Sequence, residues 1–294
     1  MEAVLTRSTP RSDLLPHLTF ILIWGAGYVA AAFALTGMGP FTLATVRFFG
    51  SGAIIAALVA MRAAPRPVSR VLLHAAIAGL LLQAGFFGFT YAGMRAGVAP
   101  AIAGLIAGLM PLTTAVGAAL LLGERMRPAA VLGLVLGLAG VLLVVAPGLH
   151  GGGPLLGYLF VALALASLSL GTLYQKRFVV GADPVWSMLM QLSASALCLL
   201  PFGVLLEGLQ MHPNAVAIGG LAWVILINSA AGLLLYLSLL ARSGAARVAS
   251  LFYLVPPVSA AFAAVLLHAH FGLRDCAGFA LAAAGVWLGQ RGSS

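Results

Sequence analysis

Ten apolar stretches separated by short loops run through this chain, and they constrain its fold more than any single motif. Most are close to the ~20 apolar residues that a helix needs to cross the hydrocarbon core of a bilayer. Because that core holds no water, each stretch must satisfy its own backbone hydrogen bonds, which favours helices over open strands. The sequence therefore predicts an all-α integral membrane protein with ten transmembrane helices. The predicted spans are residues 18–35, 40–61, 71–92, 98–122, 129–146, 155–174, 185–206, 215–240, 246–267 and 273–288.

The positive charges of the short loops alternate between the two sides of the predicted bundle. With the N-terminus in the cytoplasm, twelve of the 15 basic residues fall in cytoplasmic segments, and only Arg95 and Arg274 fall in outer loops. This bias is the positive-inside rule, and it predicts a multi-pass protein of a bacterial-type inner (plasma) membrane with cytoplasmic N- and C-termini. The net charge of +9 then faces anionic lipid headgroups, so it predicts no nucleic-acid partner.

The two halves of the chain resemble each other at an offset of about 144 residues. The segment GMGPFTLATVR, which ends at Arg47, aligns with GADPVWSMLMQ, which ends at Gln191, and Pro111 aligns with Pro257. The predicted organisation is a cytoplasmic N-terminal tail at 1–17, a first five-helix repeat at 18–148, a Gly-rich linker at 149–154 and a second five-helix repeat at 155–290.

Each repeat contains five spans, so the second repeat enters the membrane from the side opposite to the first. Inverted repeats are typical of transporters, in which the substrate site lies near the midplane and access alternates between the two sides. The sequence thus predicts a carrier of a small-molecule substrate, with no cofactor and no metal site. An enzyme is not predicted, because no HExxH motif, paired intramembrane Asp or Ser–His arrangement occurs. A non-transporting membrane sensor or scaffold is the alternative from another class.

Four features stand in a distinctive order along the first half: WGAGY at residues 24–28, Pro40 with Arg47, Pro111 followed by LLLGER, and GLVLGLAGVLL after it. In these features the chain resembles the EamA-type branch of the drug/metabolite transporter (DMT) superfamily. The similarity covers nearly the whole chain, and it implies a ten-helix exporter of amino acids or related small metabolites, such as the YddG-like aromatic amino-acid exporters. The second half departs from the pattern, since Ala269 and His270 stand where a Gly-Glu pair usually closes the fourth helix. The superfamily also includes nucleotide-sugar and sugar-phosphate carriers, which are the alternative function.

Arg47 is the sharpest candidate for a cargo contact. It lies seven residues inside its span, at a depth of about 10 Å for a rise of 1.5 Å per residue. A charge near the bilayer centre costs at least ~2.5 kcal/mol, and no Asp or Glu occurs at a comparable depth. Two interpretations stand. Either Arg47 bonds to helix-end carbonyls or extends outward to the interface, or it attracts an anionic group such as a substrate carboxylate.

The other candidate substrate-binding residues are polar or aromatic side chains at membrane depth. They are Trp24, Tyr28, Gln83, Tyr91, Tyr174, Trp186, Gln191, Asn228, Tyr236, Ser250 and Tyr253. Each is equally typical of an interhelical hydrogen bond or an interfacial anchor. As a set they predict a pocket for an amphipathic zwitterion, aromatic ones included, because they lack the clustered Lys and Arg that a phosphate cargo would need.

Two further patterns bear on assembly and on energy coupling. Glycines stripe one face of the fifth span (Gly133, Gly137, Gly140) and of the tenth (Gly285, Gly289), which predicts close helix packing or a contact between copies in a homo-oligomer.

All six acidic residues lie in tails, loops or span ends. Proton-coupled carriers commonly place an ionisable group inside the membrane, so the sequence predicts facilitative transport driven by the cargo gradient.

Overall fold

The computed structural model describes residues 14–291, apart from 63–64, 151–153, 233–234, 236–237, 240–250 and 252–253. The described chain is helical, and the only extended pairing within it is an isolated bridge between Met38 and Met211. The first half contains α1 (Leu14–Ala34), α2 (Pro40–Arg62), α3 (Ser69–Gly79), α4 (Phe86–Arg95), α5 (Pro100–Ala107), α6 (Met110–Leu122) and α7 (Pro128–His150). The second half contains α8 (Leu155–Phe178), α9 (Pro184–Glu207), α10 (Ala215–Ala222), α11 (Val255–Leu266) and α12 (Leu273–Arg291).

Seven helical stretches of the described chain are long and apolar enough to cross a membrane. Two shorter apolar helices, Ala215–Ala231 and Val255–Leu266, lie within the eighth and ninth predicted spans. The all-α class is therefore confirmed, whereas the count of ten spans stays a prediction. Proline occupies the first position of α2, α5, α7 and α9, where its missing N–H leaves no helical hydrogen bond unmade.

Three predicted boundaries differ from the structure. The third helical stretch runs over Ser69–Arg95 and is longer than the predicted 71–92. The fourth predicted span, 98–122, is divided into α5 and α6 at residues 108–109. Pro111 explains this division, because it has no N–H for the carbonyl four residues earlier and its ring crowds that turn. The helix α7 continues past Pro147 to His150, so the predicted Gly-rich linker begins later than residue 149.

An arginine of the second half compensates for the proline inside α7. Pro147 has no N–H, so the carbonyl of Leu143, four residues earlier, lacks its helical partner. The Nε of Arg274 donates to this carbonyl at 2.7 Å. One of the two basic residues of the predicted outer loops thus has a local structural role.

The helices α2 and α9, which correspond to each other in the repeat, pack together in antiparallel orientation. The start of α2 lies at the end of α9, because the carboxylate of Glu207 accepts hydrogen bonds from the backbone N–H groups of Phe41 (3.0 Å) and Thr42 (2.7 Å). Farther along α2, Gly52 approaches Leu192, nearer the start of α9. Glu207 caps α2 across the repeats, whereas Asp183 caps its own helix, α9. The two halves are thus inverted relative to each other.

The same inversion appears where α7 packs on α12. Gly133 meets the backbone of Gly285, and Gly140 meets that of Gly278, so a Cβ at any of these positions would collide with the facing helix. The glycine stripes therefore pack against each other within one chain. The predicted contact between copies cannot use these glycines, because the facing helix already covers them. Homo-oligomerisation itself stays a prediction.

The third helix of each half carries a π-helical segment at a matched position. Leu80–Gly85 joins α3 to α4, and Trp223–Ala231 follows α10. The two segments overlap at the repeat offset of about 144 residues. Each π-helical turn inserts an extra residue and rotates the faces of the following helix, and such turns are frequent at functional sites.

Candidate functional site

Arg47 lies inside the bundle on α2 and is only 7% exposed. Its Nη1 donates a hydrogen bond to the hydroxyl of Tyr91. The guanidinium carbon lies 4.0 Å from the centroid of the Phe87 ring, which is a cation–π contact. The Nε is buried and has no hydrogen-bond partner among the residues that the structure describes. The side chain therefore points inward, and no described residue accepts from it through a helix-end carbonyl.

Aromatic side chains surround this cation, and one of them is the adjacent Phe48, whose ring centroid lies 5.7 Å from the guanidinium carbon. Phe87 and Tyr91 are four residues apart on α4, just after the π-helical segment, so they lie one turn apart on the same face. Tyr28 of α1 lies within electrostatic range of Arg47 and Tyr91. Its ring packs on Gly104 of α5, where a Cβ would lie 3.4 Å from the ring. We refer to Tyr28, Arg47, Phe87 and Tyr91 as the Arg47 cluster.

The chemistry of the Arg47 cluster is that of a buried cation with aromatic walls and one unused donor. Arg47 and Tyr91 are buried, whereas Phe87 and Tyr28 are partly buried. In the part of the chain that the structure describes, no carboxylate forms an ion pair with Arg47. A neutral hydroxyl and an aromatic face compensate only in part for a buried charge. An entering carboxylate would supply both the missing acceptor and the opposite charge.

A second polar group surrounds Gln191 on α9, at the position that corresponds to Arg47. The amide nitrogen of Gln191 donates to Oε1 of Gln175 at 3.0 Å and to the Ser187 hydroxyl at 3.2 Å. Gln83, in the π-helical segment, donates to the sulfur of Met188 at 3.8 Å. Gln191 is 5% exposed. We refer to these neutral side chains (Gln83, Gln175, Ser187, Met188 and Gln191) as the Gln191 cluster; Gln191 bonds to Gln175 and Ser187, and Gln83 bonds separately to Met188.

Tyr174 lies near the end of α8 and contacts the start of α3. Its hydroxyl is 2.8 Å from Nδ1 of His74, and the His74 ring stacks on Phe178 with 5.1 Å between ring centroids. Tyr174 is therefore bonded to a neighbouring helix and does not belong to the Arg47 cluster.

The two glycines of the WGAGY segment allow close packing against two helical segments of the second half. Gly25 packs against Val258 of α11, and Gly27 packs against the side chain of Asn228. The Nδ2 of Asn228 donates to the carbonyl of Ile23 at 2.9 Å, while its Oδ1 is buried and no described residue donates to it. Trp24 stacks on Phe20, with 4.4 Å between ring centroids, in a separate apolar cluster.

The predicted contacts therefore divide into several groups. Tyr28, Arg47 and Tyr91 lie together, Gln83 and Gln191 form a second group, and Trp186 is partly buried against the main core. Tyr236, Ser250 and Tyr253 lie outside the described residues. Sequence inspection missed Phe87, although its position four residues before Tyr91 places both on one helix face. It also missed Gln175 and Ser187, which are common residue types with no distinguishing pattern.

Comparison with known proteins identifies the family. A sequence model described as the EamA-like transporter family matches the chain twice, over residues 14–146 and 155–289. The chain belongs to the EamA-like transporter family. The resemblance to EamA-type members of the DMT superfamily is thus confirmed, and the protein is a multi-pass membrane transporter and not an enzyme.

Several curated relatives cover most of this EamA-like transporter. The uncharacterized transporter YvbV of Bacillus subtilis is 27% identical over 287 residues, covering 96% of this chain and 93% of that protein. A probable amino-acid metabolite efflux pump of Salmonella typhimurium is 26% identical, covering 95% and 94%. The aromatic amino acid exporter YddG of Ancylobacter novellus is 35% identical over 202 residues, 65% of this chain and 68% of that protein. A solved crystal structure shares the fold, with a TM-score of 0.64, 24% identity and coverage of 96% and 98%.

Proposed function

We propose that this transporter exports amino acids, aromatic ones among them, or related small metabolites by alternating access between its two inverted repeats. The names of two relatives support this cargo class, since one is a probable amino-acid metabolite efflux pump and the other an aromatic amino acid exporter. The Arg47 cluster supports it independently, because it combines one cation with aromatic surface.

The observation that carries the proposal is the buried Nε of Arg47, which has no hydrogen-bond partner in the described part of the chain. Nearly all buried polar groups are bonded, and an unsatisfied donor on a charged group costs more than the ~1–3 kcal/mol of a neutral one. A cargo carboxylate would satisfy this donor, and the rings of Phe87, Tyr28 and Tyr91 would contact an apolar or aromatic side chain. Because Arg47 and Tyr91 are buried, a cargo carboxylate would reach Arg47 when the helices rearrange, as alternating access requires.

The direct test is transport by proteoliposomes that contain the purified protein, with phenylalanine, leucine, phenylalaninamide and a sugar phosphate as cargoes. Arg47→Gln should reduce carboxylate transport by about 10-fold or more, since a hydrogen bond to a charged group contributes about 1.5–3 kcal/mol. Arg47→Lys should retain part of the activity, because the charge remains without the planar guanidinium.

Ser195→Ala is the matched control for Arg47→Gln. Ser195 is fully buried on α9, and its hydroxyl bonds only to backbone carbonyls, those of Gly79 and Gln191. The control should transport at nearly the rate of the unmodified protein. Equal transport by Arg47→Gln and Ser195→Ala would contradict the role of Arg47. Transport of the sugar phosphate in preference to amino acids would replace the proposed cargo class.

We also propose that the chain crosses a bacterial inner membrane ten times with both termini in the cytoplasm. We call the end of the bundle that holds residues 35–39, between α1 and α2, the loop-1 end. Arg95 and Arg274 lie at this end, whereas Arg62, Arg66, Arg70, Arg125, Arg127, Lys176, Arg177 and Arg291 lie at the opposite end. The positive-inside rule then assigns the loop-1 end to the periplasm.

Cysteine labelling tests this orientation. Met211, at the loop-1 end, is 49% exposed, and Val68, at the opposite end, is 70% exposed. With Cys198 and Cys276 replaced by serine, Met211→Cys should react with an impermeant maleimide in intact cells, and Val68→Cys should react only after the cells are opened. Labelling of Val68→Cys in intact cells would reverse the orientation.

We propose that transport is facilitative, which means that the cargo gradient drives it. Proton coupling commonly uses an ionisable side chain that changes protonation inside the membrane, and the six acidic residues lie in tails, loops or span ends. Cargo flux should follow the cargo gradient at equal pH on both sides, and His74→Asn should leave this flux intact. Accumulation of cargo against its gradient, driven by a pH step and lost in His74→Asn, would contradict this proposal.

A further inference from the structure

A cavity of about 230 Å³ opens at the loop-1 end, between α1 and the junction of α4 with α5. Its walls are mainly apolar, with Ala32 of α1 and the following Leu35 on one side and Met94 and Val98 on the other. Arg95 is the one charged residue of the lining, and it is exposed to solvent. The cavity therefore combines apolar surface with a single accessible cation.

The cavity lies directly above the Arg47 cluster along two helices. On α4, Phe87, Tyr91 and Arg95 follow one another at intervals of four residues, so they form one stripe, and each step rises about 6 Å. On α1, Tyr28 is followed at the same interval by Ala32, which lines the cavity. The helix faces that hold the buried cation thus continue into the cavity one turn later.

The charge of the cavity matches that of the buried cluster. No acidic residue lines the cavity, and Arg95 makes no hydrogen bond or ion pair with any residue that the structure describes. Its guanidinium is therefore available to an anion from solution. The other outer basic residue, Arg274, is engaged by the Leu143 carbonyl and does not line the cavity.

We propose that this cavity is a second binding site for the cargo, in which Arg95 binds the carboxylate and the apolar walls contact the side chain. The proposal rests on the proposed function, since it assigns a peripheral site to the same carboxylate-bearing cargo. Cargo that leaves Arg47 would meet Arg95 next, and cargo from outside would bind there first. The site requires a monoanionic head and a compact apolar body, which phenylalanine and leucine provide.

Exchange kinetics in right-side-out vesicles test the site with phenylalanine as the probe. Arg95→Gln should raise the half-saturation concentration for external phenylalanine about fivefold, the effect of an exposed charge pair worth about 1 kcal/mol. The maximal rate and the half-saturation concentration for internal phenylalanine should stay unchanged. Arg95→Lys should show less than half of the effect. The difference between Arg95→Gln and the unmodified protein should also shrink at high salt, because the interaction is exposed.

Arg274→Gln is the matched control, because it removes the same charge from the same end of the molecule without touching the cavity. It should change the external half-saturation concentration by less than twofold. A second variant, Ala32→Leu, fills the cavity without changing its charge and should also raise the external half-saturation concentration. Effects of Arg95→Gln and Arg274→Gln that are equal would overturn the site while leaving the proposed function intact. Failure of the unmodified protein to transport phenylalanine would instead contradict the proposed function.

The vesicle lipid distinguishes cargo from a lipid phosphate as the anion at Arg95. The same measurements are made in vesicles of phosphatidylcholine alone and in vesicles with added phosphatidylglycerol. An effect of Arg95→Gln of equal size in both lipids supports cargo binding. An effect confined to vesicles with the anionic lipid would assign Arg95 to a lipid headgroup and overturn the cargo site.

Discussion

Arg47 and Gln191 occupy matched positions on α2 and α9, the two central helices, yet their hydrogen-bonding environments differ. Gln191 donates to Gln175 and Ser187, so its amide nitrogen is paired within the second repeat. Arg47 donates to the hydroxyl of Tyr91 and contacts the rings of Phe87 and Phe48, and its Nε has no partner within the described residues. The amide is neutral and paired, whereas the cation is partly paired and surrounded by aromatic rings.

This difference indicates that the two repeats have diverged in role. The neutral hydrogen bonds of the Gln191 cluster join α9 to α8 and to the π-helical segment Leu80–Gly85, as interhelical polar contacts do in membranes. The Arg47 cluster leaves a donor unused in a water-poor interior, where an unpaired charge is unfavourable. We therefore expect substitutions around Gln191 to affect stability first and substitutions around Arg47 to affect transport first.

The largest expected effect comes from placing an arginine in the second repeat at position 191, which corresponds to Arg47 of the first. Gln191→Arg should lower the free energy of unfolding by about 3 kcal/mol, because it adds a charge inside the membrane with no acidic partner. Gln191→Met, which keeps the size without the charge, should lower it by only about 1 kcal/mol through the lost hydrogen bonds. Unfolding in mixed detergent micelles measures both. A Gln191→Arg variant as stable as Gln191→Met would show that the two sites accept a cation equally.

The next largest effect should come from the acceptor of Arg47. Tyr91→Phe removes the hydroxyl that accepts from Nη1. We expect the half-saturation concentration for phenylalanine to rise about 10-fold, as for a charge-assisted hydrogen bond of about 1.5 kcal/mol. In Arg47→Gln, the same substitution should have a much smaller effect, which a double-mutant cycle measures. Ser187→Ala is the corresponding change in the second repeat and should alter transport less than twofold. Additive effects of Tyr91→Phe and Arg47→Gln would show that the two side chains act separately.

A smaller effect is expected from the ring beneath the guanidinium. Phe87→Leu keeps an apolar side chain but removes the cation–π contact, which contributes about 1 kcal/mol. The half-saturation concentration for phenylalanine should therefore rise about fivefold, and the free energy of unfolding should change little. Met188→Leu, beside Gln83 in the other cluster, is the control and should leave transport unchanged. If both substitutions alter transport equally, the effect comes from packing and not from the ring.

The smallest expected effect concerns the N-terminal caps of the two central helices, α2 and α9. Glu207→Gln keeps one acceptor for the start of α2 but removes its charge, and it should lower the free energy of unfolding by about 1 kcal/mol. Asp183→Asn should lower it by only a few tenths, because Asn caps a helix nearly as well as Asp. Thermal unfolding of the two purified variants provides the comparison. An equal loss in both would show that capping across the repeats has no special role in joining the halves.

Much of the fold could be predicted because each helix follows from its own segment. The second and seventh spans were predicted as 40–61 and 185–206, and the helices run over Pro40–Arg62 and Pro184–Glu207. The weak repeat likewise matched Arg47 with Gln191, which lie on the two antiparallel central helices. The division of the fourth span was missed, although Pro111 signals it, because apolar composition alone does not register a missing N–H.

Membrane helices and their order could be derived from the chain because a bilayer imposes the same requirement on every segment, an apolar surface with an internally bonded backbone. The partners of each polar group could not be derived in this way. Arg47 bonds to a residue 44 positions away and Gln191 to one 16 positions away, and each pairing depends on how two helices are rotated and at what depth they meet. The π-helical segments change that rotation locally. For this reason the sequence could name Arg47 as a candidate, but the unused Nε and its aromatic walls emerged only from the packed bundle.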